Sequence, residues 1–136
     1  MKHILDAGPL IAALNREDVY HAWACEILQQ IGPPFYSCPE ALAEAAAMTG
    51  QPAAIVEMIA AGEIVLAFDL SEQAAAVLNL LRKYADQGMD LADACIVRMT
   101  ELMRDIRVIT VDRSDFAVYR RNGRATIPAI FPPESR

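Results

Sequence analysis

The sequence has few cysteines, no long hydrophobic run and no surplus of positive charge. Its three cysteines are widely separated and form no C-x-x-C pair, which argues against a disulfide framework or a zinc ribbon. No segment approaches the ~18 unbroken apolar residues of a membrane-spanning helix. The early apolar stretch 4–14 is interrupted by Asp6 and Pro9, which argues against a signal peptide. We therefore expect a soluble, cytoplasmic protein with no membrane partner.

Length and charge distribution indicate the number of domains and bear on binding to nucleic acid. The chain has 136 residues, of which 54% are hydrophobic, so we expect a single domain spanning residues 1–136. A formal net charge of −6 argues against a general electrostatic attraction to nucleic acid. The charge is uneven, because residues 1–81 carry ten acidic and two basic side chains, whereas residues 82–136 carry eight acidic and ten basic ones.

Short apolar segments alternate with helical segments along the chain. Strands are expected at 3–5, 35–37, 64–68, 107–111 and 126–130, the last at a sheet edge because it contains a proline. The continuous apolar run at 64–68 is typical of a strand covered on both faces. Helices are expected to begin near Pro9, Asp18, Pro39, Pro52, Ser71 and Asp90, with Asp18, Ser71 and Asp90 as N-caps. This alternation predicts an α/β fold with a central, mainly parallel sheet of four to five strands flanked by helices.

Three acidic residues directly follow predicted strands. Asp6 follows the first strand, and Asp112 follows the strand at 107–111. Asp69, after the predicted strand at 64–68, is a third acid in this position. In open parallel sheets, ligands bind beyond the carboxyl ends of the strands, which makes such side chains candidates for chemistry. Each also has a simpler explanation, since an acid at a strand end is often a turn residue or a helix cap.

Two more acids lie in helices whose neighbours are largely apolar. Glu44 lies in the middle of an alanine-rich helix, where we expect a buried charge that needs a partner. Asp93 lies in an apolar helix start and is expected to be at least partly buried. The alternative for Asp93 is a capping role, in which Asp90 caps the helix and Asp93 occupies the third position of a capping box.

Convergence of Asp6, Glu44, Asp93 and Asp112 in the fold would create a strong electrostatic conflict. Two unit charges 4 Å apart repel by roughly 4 kcal/mol at an effective dielectric of 20. Such a group either raises the pKa values of its members or binds a divalent cation. Oxygen ligands without thiolate or imidazole favour Mg²⁺ or Mn²⁺ over zinc.

The same acids carry a resemblance to a known family. The segments Ile4-Leu5-Asp6-Ala7-Gly8-Pro9-Leu10, Pro39-Glu40-Ala41-Leu42-Ala43-Glu44, Met89-Asp90-Leu91-Ala92-Asp93-Ala94 and 110–116 (TVDRSDF) occur in the order of the PIN-domain ribonucleases. The chain resembles the VapC-type toxins most, and the likeness spans nearly its whole length. This resemblance implies a PIN-like three-layer sandwich and an endoribonuclease that depends on Mg²⁺ or Mn²⁺.

The resemblance also assigns roles to residues. The family's metal-binding catalytic acids map onto Asp6, Glu44, Asp93 and Asp112, with Asp90, Asp115 and Thr110 as auxiliaries. It implies that RNA phosphates are held by a basic rim of Arg113, Arg120, Arg121 and Arg124, although composition alone fits a solvated surface equally well. It further implies an RNA substrate, a cognate antitoxin protein and a homodimer. The sequence departs from the family at Ala7-Gly8, where many members have a threonine or serine that hydrogen bonds to the first acid.

Two other functions are compatible with the sequence. One is a catalytically silent interaction module with a PIN-like fold, which the departure at Ala7-Gly8 keeps open. The other is a phosphatase that uses Asp6 as a nucleophile, although this class usually has a second acid where Gly8 stands. Among the aromatic residues, Tyr20, Trp23 and Tyr84 could stack on bases, but packing in the protein interior is the default expectation.

Overall fold

The structure, a computed structural model, describes residues 1–134. Its strands are β1 (Lys2–Leu5), β2 (Phe35–Ser37), β3 (Ile64–Leu66), β4 (Ile106–Ile109), β5 (Arg120–Arg121), β6 (Ala125–Thr126) and β7 (Ala129–Ile130). Its helices are α1 (Ala7–Leu14), α2 (His21–Ile31), α3 (Pro39–Thr49), α4 (Pro52–Ala60), α5 (Leu70–Lys83), α6 (Leu91–Leu102) and α7 (Arg113–Val118), with a short 3-10 turn at Ala85–Gln87. Within this part of the chain, no helix has the length and hydrophobicity needed to cross a membrane.

The central sheet contains five parallel strands in the order β3-β2-β1-β4-β7. Helices flank the sheet, and the predicted α/β three-layer architecture is confirmed. Strand β1 lies in the middle and pairs with β4 so that Leu5 lies beside Ile109. The carboxyl ends of these two strands therefore meet at one edge, which sets the position of the candidate site.

The hydrophobic core fills the space between the central strands and the helices. Ile4 and Val108 on the two central strands are completely buried, as are Ile96 and Met99 on α6. Full burial of one such side chain contributes about 1.5–3 kcal/mol relative to exposure. Helix α6 is therefore fixed against the sheet, and its first turn cannot drift away from the ends of β1 and β4.

Strand β3 differs from the sequence-based expectation. We predicted a strand at 64–68 covered on both faces, but β3 ends at Leu66 and lies at the edge of the sheet, with 45% of Leu66 exposed. The apolar run misled because continuous hydrophobicity does not distinguish a central strand from an edge strand that carries an apolar surface patch.

Helix starts also differ from those expected. Helix α1 begins at Ala7, two residues before Pro9, because the Asp6 side chain caps it. Asp69, not Ser71, caps α5 and accepts hydrogen bonds from the Ser71 backbone N–H (2.9 Å) and Oγ (2.6 Å).

Two further predicted segments were wrong in detail. Asp18 does not cap α2, and its carboxylate instead accepts from the Tyr20 N–H at 2.8 Å. The strand expected at 126–130 is divided between β6, which pairs antiparallel with β5, and β7 at the edge of the main sheet. Ile127, between these two strands, turns into the core with 3% of its surface exposed.

Candidate metal centre

Three carboxylates converge where β1 and β4 end. The Asp6 backbone N–H donates to the Ile109 carbonyl at 3.1 Å, which places Asp6 beside Thr110 immediately after the strands. The first turn of α6 brings Asp93 to the same edge, and the loop after β4 brings Asp112. One oxygen from each of Asp6, Asp93 and Asp112 lies within 4.8 Å of the other two. We call these three residues the acidic triad.

Asp6 is held by hydrogen bonds to both of its oxygens. Only 3% of its surface is exposed. Its Oδ1 accepts from the Ala7 N–H at 2.9 Å, and its Oδ2 accepts from the Thr110 hydroxyl at 2.7 Å. The hydroxyl that the sequence lacks after Asp6 is thus supplied by Thr110, immediately after β4. The Ala7-Gly8 departure leaves the carboxylate oriented.

Gly8 is required by the close approach of α1 to the loop after β4. A Cβ atom built on Gly8 would lie 2.5 Å from Cγ2 of Val111. The absence of a side chain therefore lets the start of α1 pack directly against the segment that leads to Asp112. The contact helps to keep Asp6 and Asp112 together.

Asp93 is held by a contact that the sequence did not reveal. The Tyr119 hydroxyl donates to Asp93 Oδ2 at 3.0 Å, and Tyr119 is completely buried. The Tyr119 ring packs edge-on against Tyr84 and Phe116, with centroid distances of 5.1 and 5.2 Å. A tyrosine between α7 and β5 has no spacing relationship to Asp93, so nothing in the sequence pattern pointed to this pair.

Of the capping alternative for Asp90 and Asp93, the structure shows the cap by Asp90 but gives the Asp93 side chain a different contact. Asp90 caps α6 and accepts from the Asp93 backbone N–H at 2.7 Å, as expected. The Asp93 side chain, with 8% of its surface exposed, accepts a hydrogen bond from Tyr119 and lies close to the carboxylates of Asp6 and Asp112. Asp93 is therefore buried as predicted, and its carboxylate has a role beyond the helix start.

Glu44 lies at the same cleft but is not part of the acidic triad. We predicted that it would be a buried charge, whereas it is exposed. Helix α3 buries Ala41, Leu42 and Ala45, and this choice of face turns Glu44 outward. A cleft of about 230 Å³ is lined by Glu44, Asp90 and the acidic triad. The four predicted acids therefore share one cleft, with three close together and Glu44 at the mouth.

The cleft is electrostatically unbalanced. Burial raises the pKa of Asp6 to about 7, an effect that its hydrogen bonds to Thr110 and Ala7 offset only in part and that neighbouring carboxylates reinforce. Burial, followed by the charge of Asp90, raises the pKa of Asp93 to about 7. The pKa values of Glu44 and Asp112 are also raised, by burial first and then by neighbouring acids. Within residues 1–134, the ion pairs present involve none of these four acids.

The donor set fits a hard divalent cation. All three donors of the acidic triad are carboxylate oxygens, and Asp6 and Asp93 are already oriented by hydroxyl donors on their outer sides. Ligand oxygens around Mg²⁺ at ~2.1 Å lie ~3–4 Å apart, close to the separations available here. The acidic triad could therefore hold a metal ion.

Thr110 and Asp115 each lie next to a member of the acidic triad. Thr110 is completely buried and touches Asp6. Asp115 lies close enough to Asp112 for its charge to raise the pKa of Asp112. Asp90 likewise raises the pKa values of Glu44, Asp93 and Asp112.

The four arginines expected to form a rim are engaged separately. Arg121 donates to the backbone carbonyls of Thr100 and Met103 at the end of α6 remote from Asp93. Arg120 donates to three consecutive carbonyls at 117–119. Arg124 is exposed between β5 and β6.

Only Arg113 of this group directly follows a member of the acidic triad. Its guanidinium donates to the Pro132 carbonyl at 2.8 Å and lies over the Phe131 ring at 4.7 Å. Two of the four arginines predicted to form the rim, Arg120 and Arg121, thus donate to backbone carbonyls at helix ends. The spacing of residues in the sequence does not predict these hydrogen bonds.

Comparison with known proteins adds no assignment to this geometry. The chain matches no protein-family profile and no curated protein at a significant level.

Proposed function

We propose that this protein is a metal-dependent endoribonuclease of the PIN-domain type, similar to the VapC toxins. The observation that carries the proposal is the acidic triad, in which oxygens of Asp6, Asp93 and Asp112 lie within 4.8 Å of one another at the carboxyl edge of a parallel sheet. The order of these residues along the chain and their positions on strand ends and a helix start agree with the resemblance drawn from the sequence.

The side chains around the cleft would have different roles in phosphodiester hydrolysis. Asp6, Asp93 and Asp112 would hold Mg²⁺ or Mn²⁺, which lowers the pKa of a water molecule and offsets the charge of a phosphate. Thr110 and Tyr119 orient two of these carboxylates through hydrogen bonds of 2.7 and 3.0 Å. Glu44, at the mouth of the cleft with a raised pKa, is placed to accept or release a proton near the substrate.

The partners follow from the same proposal. The substrate is RNA, and an antitoxin protein would block the cleft. Apolar side chains that are exposed on the surface are available for an interface with an antitoxin or a second copy. They include Met48, Val56, Val65 and Leu66.

The test compares RNA cleavage by the wild type with that by Asp6→Asn and Asp93→Asn. Cleavage should require Mg²⁺ or Mn²⁺ and should stop with chelator. Each substitution should lower the rate by roughly 10²-fold or more, the scale of losing one electrostatic contact in a transition state.

Asp105→Asn is the matched control. Asp105 undergoes the same chemical change, is exposed, and precedes β4, at the opposite end of this strand from the acidic triad. Its φ of 53° suits asparagine, so the protein should fold and cleave normally. Equal cleavage by all four proteins would contradict the proposal, and metal binding without any RNA cleavage would favour the silent interaction module.

A further inference from the structure

A second cavity adjoins the acidic cleft on the side of Arg113. It measures about 410 Å³ and is lined mainly by Val19, Tyr20, Arg113 and Pro132. Val111 lines both this cavity and the cleft. We call the second cavity the side pocket. Because Val111 forms a wall of both cavities, a substrate strand that crosses the cleft could extend into the side pocket.

The side pocket contains a partly exposed aromatic ring, that of Tyr20. Tyr84 is 8% exposed and Trp23 packs against the hydrophobic core, whereas Tyr20 is 36% exposed. The Tyr20 backbone is fixed on both sides, because its N–H donates to Asp18 at 2.8 Å and its carbonyl accepts from the Ala24 N–H at 2.8 Å. Because its backbone is fixed and part of its ring is exposed, Tyr20 is suited to stacking on a ligand.

The opposite wall of the side pocket carries a positive charge. The Arg113 guanidinium is fixed by the Pro132 carbonyl at 2.8 Å and by the Phe131 ring at 4.7 Å. Its ion pair with Glu134 spans 3.7 Å between exposed side chains, and such a pair is weak. A phosphate could therefore replace Glu134 as the partner of Arg113 without a large loss.

We propose that the side pocket binds an unpaired nucleobase of single-stranded RNA, next to the phosphate at the acidic triad. The base stacks on Tyr20, and Arg113 contacts a phosphate of the same strand. This inference rests on the proposed function and specifies its substrate as single-stranded. An aromatic side chain can stack on a base only when the base has left a duplex, and such stacking is a common mode of RNA recognition.

The main test uses a short phosphorothioate RNA that resists cleavage, with 2-aminopurine placed at each position in turn and Mg²⁺ present. In the wild type, one position should lose fluorescence on binding because the base stacks on Tyr20. Tyr20→Ala should abolish this loss and weaken binding by about 5- to 150-fold. Tyr20→Phe keeps the ring and should bind within about twofold of the wild type, which separates stacking from hydrogen bonding by the hydroxyl.

The controls address folding, charge and strandedness. Leu78→Ala truncates an apolar side chain that is 44% exposed on α5 and does not line the side pocket, and should leave binding unchanged. Arg113→Gln should reduce the slope of log affinity against log salt concentration by about one. A blunt duplex of the same sequence should bind more weakly and show no fluorescence loss that depends on Tyr20.

The outcomes separate this inference from the proposed function. Metal-dependent cleavage of RNA combined with unchanged binding by Tyr20→Ala would overturn the side-pocket inference alone. Equal binding of the duplex, or an equal fluorescence loss in Tyr20→Ala, would also overturn it. Absence of metal-dependent cleavage by the wild type would overturn the proposed function itself.

Discussion

Two buried carboxylates in this protein are hydrogen bonded to neutral hydroxyls. Asp6 accepts from Thr110, and Asp93 accepts from Tyr119. A hydroxyl orients a carboxylate without cancelling its charge, so the charge stays available for a cation. In metal sites, groups that orient the ligands in this way typically change metal affinity by about 10- to 100-fold when removed.

Removing the Tyr119 hydroxyl should therefore weaken both metal binding and the fold. Tyr119→Phe keeps the ring packing with Tyr84 and Phe116 but deletes the donor to Asp93. We expect Mn²⁺ affinity to fall by about 10-fold or more. The free energy of unfolding of the metal-free protein should fall by about 1–3 kcal/mol, the cost of leaving one buried acceptor unsatisfied.

Tyr84→Phe is the matched control for this substitution, because the Tyr84 hydroxyl accepts from the Arg120 N–H and does not contact the acids. Calorimetric titration with Mn²⁺ measures both variants. Equal affinities in Tyr119→Phe and Tyr84→Phe would show that Tyr119 has only a structural role.

The raised pKa values of Asp6 and Asp93 predict a pH dependence with a definite sign. Both pKa values rise from 3.8 to about 7, so the folded protein retains protons that the unfolded chain has lost between these limits. The free energy of unfolding of the metal-free protein should therefore fall as pH rises through this window. Urea unfolding at several pH values measures it.

Mn²⁺ should reverse this trend, because a cation binds the deprotonated carboxylates. Its affinity should rise with pH up to about 7 and binding should release protons. A metal affinity that does not change across this range would contradict the assignment of Asp6 and Asp93 as ligands.

At the scale of secondary structure, carbonyl groups at the end of a helix accept hydrogen bonds from one of the four arginines predicted to contact RNA. Arg121 donates to two carbonyls at the end of α6, Thr100 and Met103, which would otherwise lack partners. Arg121→Gln should lower the free energy of unfolding by about 2 kcal/mol, because hydrogen bonds from a charged donor are lost. RNA affinity at constant folded fraction should stay unchanged.

Arg124→Gln serves as the comparison, since Arg124 is exposed beyond the end of β5 and its loss should leave stability within about 0.5 kcal/mol. Thermal unfolding and RNA binding on the same samples distinguish the two roles. A large loss of RNA affinity in well-folded Arg121→Gln would restore the phosphate-contacting rim expected from the sequence.

The elements that carry the site were predictable because each has a local signal. Strand β1 and the strand before Asp112 are short, apolar and followed by an acid, and Asp90 caps α6 as expected. The orientation of Glu44 was not predictable, since in an alanine-rich helix every face is apolar enough to be buried. The Tyr119–Asp93 contact was also out of reach, because the tertiary fold alone brings these residues together.

At the scale of the whole molecule, an acidic protein concentrates negative charge where two central strands end. The ion pairs within residues 1–134 lie elsewhere, and the nearest arginine along the chain, Arg113, is engaged by Pro132, Phe131 and Glu134. A divalent cation would remove this repulsion and at the same time create a site for an RNA phosphate. The net charge of −6 over the whole chain discourages nonspecific binding of nucleic acid.

The most direct test is a crystal of the protein soaked with Mn²⁺ and measured at a wavelength where manganese scatters anomalously. We predict an anomalous peak bounded by carboxylate oxygens of Asp6, Asp93 and Asp112, which should disappear in Asp93→Asn crystals. A peak that avoids these three residues, or well-ordered crystals with no peak at saturating Mn²⁺, would contradict the metal centre and the nuclease function built on it.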